Sequence, residues 1–71
     1  MYTYTVKNKN TLAIHDAKRG QLIRTVNVDG DIVGSPLING TNGMVNVKKG
    51  STNKVYVTNL KNGSVVKIFS V

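Results

Sequence analysis

The chain has 71 residues, ten Lys or Arg against three Asp, a single His, no Cys and a formal net charge of +7. A chain this short buries only about 60% of its unfolded surface. Without Cys it has neither disulfides nor thiolate metal sites to reinforce a thin core, so association is the expected aid to its stability. The charge is unevenly placed: residues 1–31 hold five basic and all three acidic groups, whereas residues 32–71 hold five Lys and no acid.

Taken in order, the apolar runs are rich in β-branched residues and none keeps a helical period over three turns, which reads as all-β. Tyr2 to Lys7 forms a first strand, closed by Asn8-Lys9-Asn10. Its Met-Tyr-Thr-Tyr start lacks the apolar core of a signal peptide, and no apolar run reaches 18 residues. The expectation is a protein made in the cytoplasm, with no membrane span. Leu12 to His15 is a second strand, Asp16 to Gly20 a turn, and Gln21 to Val28 a third strand. Asp29-Gly30-Asp31 interrupts the chain before a fourth strand, Ile32 to Asn39. Pro36 cannot donate to a ladder, so that strand lies at an edge or is bulged. After a turn at residues 39–43 comes a fifth strand, Met44 to Lys48, and residues 49–53 turn into a closing hairpin. Its arms are the runs Val55 to Thr58 and Val65 to Phe69, around Asn62-Gly63. Asn-Gly ahead of a β run is a hairpin signal, because glycine takes the positive φ of a tight loop. Six of the seven glycines are expected in turns.

The two halves match at an offset of 43. Asn10/Asn53, Lys18/Lys61, Gly20/Gly63 and Val28/Val71 are identical, and Leu12/Val55, Ile14/Val57, Leu22/Val65, Arg24/Lys67 and Val26/Phe69 are conservative. With a two-residue gap, residues 4–7 fall on 45–48. One domain, residues 1–71, thus holds two units of β repeat, about 2–28 and 32–71, the second with an extra leading strand.

The run Asp29 to Ile38, with Val55-Tyr56-Val57 and Lys61-Asn62-Gly63, resembles a blade of the PQQ-repeat type. Val55-Tyr56-Val57-Thr58-Asn59 is similar to the signature of the YVTN propeller repeats. The resemblance covers about residues 11–71 and implies β-propeller blades, about one and three-quarters of them. The Trp usual late in PQQ-type blades is missing; Val26 and Phe69 stand near its place. A propeller needs at least four blades, so closure implies oligomerisation. No quinone or other cofactor is implied.

Few residues invite a chemical reading. Asp16 and Asn59 hold matching places four residues before Gly20 and Gly63, where a side-chain oxygen caps its own loop. An amide at one site argues against an acid role at the other. His15, alone on a strand, reads as a packed or solvated residue, and Asp29 and Asp31 offer too few oxygens for calcium. Ser51-Thr52-Asn53-Lys54 spells S-x-x-K without the helix that motif needs. Asn39-Gly40-Thr41 and Asn62-Gly63-Ser64 read as chance matches to a glycosylation acceptor. Catalytic, cofactor and metal residues are therefore expected to be none.

Two candidate surfaces remain. Arg24 and Lys67, with Lys48, Lys49, Lys54 and Lys61, can form a cationic row for an acidic partner such as nucleic acid. Alternatively, Arg24 and Lys67 guard edge strands against runaway pairing. Tyr2, Tyr4, Val65, Phe69 and Val71 are the expected assembly interface, since the last strand is apolar on both faces. The reading is a non-enzymatic structural module that docks on copies of itself or on a larger assembly, such as a phage capsid-decorating or tail protein. The alternatives are a lectin-like carbohydrate-binding propeller module and a small basic barrel that binds nucleic acid.

Overall fold

The computed structural model describes residues 1–70. Seven strands follow one another: β1 (Tyr2–Asn8), β2 (Thr11–Asp16), β3 (Leu22–Asn27), β4 (Asp31–Asn39), β5 (Asn42–Lys49), β6 (Thr52–Asn59) and β7 (Val65–Ser70). All neighbours pair antiparallel, but the ladder breaks once. β1-β2-β3 form a three-stranded sheet and β4-β5-β6-β7 a four-stranded one. Neither closes into a barrel, so β1, β3, β4 and β7 are edges. Pro36 lies where expected, on an edge strand and inside a register shift between Val33 and Leu37.

The sheets face each other across a single core. Tyr4, Leu12, Ile14 and Val26 from the first sheet cluster with Val45, Val47 and Tyr56 from the second, and with Val28 and Leu60 from the connections. The chain between the sheets is strapped down where it crosses. The Val28 N–H donates to the Asn10 carbonyl (2.9 Å), and the Ile32 N–H donates to that of Lys9 (2.7 Å). Both acceptors belong to the β1–β2 turn, so the first sheet's own turn sets where the second begins.

The repeat is reproduced bond for bond. Asp16 N–H donates to the Gln21 carbonyl at 2.9 Å, and Asn59 N–H to that of Ser64 at 2.8 Å. The Gly20 and Gly63 amides return to the carbonyls of Asp16 and Asn59, both at 2.7 Å. Asp16 Oδ1 accepts from the Lys18 N–H and Asn59 Oδ1 from the Lys61 N–H, both at 2.9 Å. Both glycines hold positive φ, 70° and 78°, which residues with a Cβ reach only under strain. The pairing agrees too: Leu12↔Val26 and Ile14↔Arg24 in one hairpin, Val55↔Phe69 and Val57↔Lys67 in the other, each with a register shift one residue later.

Three expectations need correction. Tyr4 pairs with Ile14, and Val57, the counterpart of Ile14, pairs with Met44, so Tyr4 corresponds to Met44 and not to Val45. The sequence match slipped one residue because Tyr4 and Val45 are both buried, but on opposite faces of the repeat. Gly43 lies inside β5 and not in a turn, since β5 begins at Asn42. A Cβ there would come within 2.7 Å of Tyr4 Cε2 and 2.9 Å of a Leu60 methyl. Its missing side chain is what lets the Tyr4 ring enter. Tyr4, expected at an assembly edge, is therefore inside the molecule, 5% exposed.

Candidate assembly surface

Alternation along β5 and β6 decides which side chains remain outside. Gly43, Val45, Val47, Tyr56 and Thr58 turn inward and are buried. The residues between them, Met44, Asn46, Val55 and Val57, turn outward and stay half-buried or exposed. β4 and β7 extend this outer face: Val33 stands opposite Asn46, Leu37 opposite Met44, Phe69 opposite Val55 and Lys67 opposite Val57. An open groove of about 250 Å³ crosses it, walled by Leu37, Met44, Asn46, Val55 and Phe69. Leu37 is 65% exposed and Phe69 41%, and β7 is exposed at every position. A soluble surface carries single apolar side chains without consequence, but a contiguous apolar face marks an interaction site.

The outer face of the first sheet has a different chemistry. Thr5, Ala13 and Thr25 stand in one row across β1, β2 and β3, beside Thr3 and His15. Ala13 lies low between its neighbours, 5% exposed. This face carries mostly short, half-polar side chains.

The cations expected as a row are spread over several surfaces. Lys48 and Lys67 belong to the outer face of the second sheet, and the Lys67 ammonium lies 5.5 Å from the Phe69 ring centroid. Lys54, paired with Val47, is on the other face of that sheet, and Lys61 sits in the turn after β6. Lys49 Nζ donates to Asp29 Oδ2 at 2.7 Å, and this contact holds the Asp29 carboxyl below, and the Lys49 ammonium above, its ordinary range. Arg24 points inward from β3 and donates from Nη1 to the Asn62 carbonyl, its stem filling the space where a Gly63 Cβ would lie.

The other expected site residues fall as follows. Tyr2 is half-buried against the core, and Val65 and Phe69 are exposed on β7. Val71 lies outside the described residues. Tyr4 donates its hydroxyl to Thr58 Oγ1 at 3.3 Å, and burial raises its phenol above the ordinary value. Asp16 accepts from the Lys18 N–H at 2.9 Å and the Arg19 N–H at 3.3 Å, which lowers its carboxyl. Leu60 and Thr58 have no exposed surface and were not marked by the sequence. Leu60 hides in a polar turn, and its only signal is bulk where the other repeat has Ala17. Among the described residues, no three His, Cys, Asp or Glu gather as metal ligands would.

Comparison with protein-family models gives no match, and comparisons with curated proteins and with solved structures likewise give none.

Proposed function

We propose that this chain is a non-enzymatic assembly module: two propeller-blade-like sheets whose open surfaces are completed by copies of itself or by a larger structure. One observation carries the reading, the mostly apolar groove on the outer face of the second sheet, where Leu37, Met44, Val55 and Phe69 gather around Asn46. Leaving such a face in water forgoes about 25 cal/mol per Å² of apolar surface. That is a large term beside the few kcal/mol that a core of this size supplies. The two hairpins, with matched pairing and matched turn bonds, support the blade-like description. A virion shell or tail is the kind of larger structure that a small, basic, Cys-free module of this shape suits. Light scattering coupled to gel filtration tests the reading: the chain should elute as an oligomer at micromolar concentration. A monomer with a cooperative melt above about 60 °C overturns it.

A further inference from the structure

Equivalent hairpins are buried here through opposite faces. In the first sheet the inward side chains are Leu12, Ile14 and Val26. Their counterparts in the second sheet, Val55, Val57 and Phe69, point outward. Conversely, the second sheet's inward Gly43, Val45, Tyr56 and Thr58 correspond to Thr3, Thr5, Ala13 and His15 on the first sheet's outer face. The chain therefore exposes the two halves of an interface that it has already built once inside itself.

We propose that copies of the chain associate head to tail, the outer face of the second sheet receiving the outer face of the first sheet of the next copy. This rests on the assembly reading above and names its partner and geometry. Three observations support it. The four buried apolar positions of the first sheet's inner face stay apolar on the open one, Met44 for Tyr4, Val55 for Leu12, Val57 for Ile14 and Phe69 for Val26, while Asn42 and Asn46 stand for Tyr2 and Val6 toward its margin. Bulk is redistributed in compensation. Inside, large Tyr56 meets a sheet carrying small Val26; outside, small Ala13 would meet a sheet carrying large Phe69. The third observation is the most specific. Arg24 fills the space beside Gly63 and caps the Asn62 carbonyl, whereas the same space beside Gly20 is open, with nothing within 4 Å. Lys67, the counterpart of Arg24, fits that space in the next copy and meets the Arg19 carbonyl. Arg19 adds a positive charge to this turn, but Asp16 offsets it, so both turns carry one net positive charge.

Such an interface is heterologous, and it extends until the rotation per copy closes a ring. Two variants test it. One carries Phe69→Glu on the second sheet's outer face; the other carries Thr5→Glu and Thr25→Glu on the first sheet's outer face. Each, shown folded by circular dichroism, should run as a monomer in light scattering, and an equimolar mixture should run at twice the monomer mass, because each contributes its intact face. If Phe69→Glu does not fold, Leu37→Lys, at the most exposed large apolar side chain of the same face, replaces it. Lys67→Glu should loosen self-association of the otherwise native chain about tenfold or more. If the Thr5/Thr25 variant self-associates like the native chain, the interface joins second sheets face to face. The head-to-tail inference then falls while the assembly reading stands. A native chain that stays monomeric defeats both.

Discussion

The two hairpins, residues 11–28 and 54–70, have the same turn bonds, the same register and the same bulge, yet they bury opposite faces. In the first, Leu12 and Ile14 have no exposed surface; in the second, their counterparts Val55 and Val57 are half-buried while Tyr56 and Thr58 are sealed in. Local hydrogen bonding therefore fixes how a hairpin is built, but not which side of it becomes core. That choice belongs to the packing between sheets, where Gly43 opens room for the Tyr4 ring and Leu60 closes the end of the cluster.

The sharpest way to break this comparison is to truncate the equivalent apolar side chain of each hairpin to Ala. Ile14→Ala removes a fully buried side chain and should cost about 2–5 kcal/mol in chemical denaturation. Val57→Ala at the equivalent half-buried position should cost on the order of 1 kcal/mol when measured on dissociated chain. Equal costs would mean that both faces are core and that the two-sided burial is misassigned.

A smaller effect separates the turns. Gly63→Val and Gly20→Val each force a branched side chain into positive φ and should each cost more than about 1 kcal/mol. Gly63→Val should cost more, because the new side chain must also displace the stem of Arg24. Thermal melts compare the two directly. A Gly63→Val protein as stable as the parent would remove the turn assignment.

Most of this architecture was legible in the residues. Alternating β-formers and the glycines at 20, 40, 50 and 63 place all seven strands, and the offset of 43 pairs the two hairpins that the hydrogen bonds confirm. The inward face was not legible. Val55-Tyr56-Val57 and Ile68-Phe69 are apolar on both sides of their strands, so alternation alone offers two equally good cores. The one-residue slip between β1 and β5 has another source: Tyr4-Thr5-Val6 and Val45-Asn46-Val47 share one alternation but turn opposite faces of the repeat inward, and Tyr4 lies on an edge strand with its ring inside. Leu60 escaped for a different reason: a leucine flanked by Asn59 and Lys61 reads as solvent-facing turn until the β4–β5 hairpin is folded against it, the Leu60 N–H donating to the Thr41 carbonyl at 2.9 Å. The cationic side chains were legible as a number but not as a pattern, because register sends Lys54 and Lys48 to opposite faces.

The smallest expected difference is one of pH. Asp16 and Asn59 cap matching turns, but only the carboxylate titrates. Its folded value is lowered, chiefly by the Lys18 N–H and then by the Arg19 N–H, below an unfolded value of about 3.9. The stability it contributes is complete above that unfolded value and is lost as pH falls through the lowered folded one. Acid should therefore loosen the first turn and leave the second untouched. Amide exchange at Gly20 and Gly63 followed through that range reports each turn separately. Asp16→Asn should abolish the difference, and a Gly63 amide as acid-sensitive as Gly20 would refute the account.

The strap between the sheets bears on whether two chains could trade a sheet. Swapping one sheet between two chains requires the segment from Val28 to Ile32 to swing open as a hinge. Both of its terminal amides are held by the Asn10 and Lys9 carbonyls, and Asp29 at its bend is tied to Lys49. Opening it would break these bonds and expose Leu12, Ile14 and Tyr56 before any new contact formed. In the proposed head-to-tail association, contact between copies would thus be added to the inner interface and would not replace it. Dilution should release closed, fully folded single chains at a rate set by the outer faces alone, far faster than the molecule unfolds.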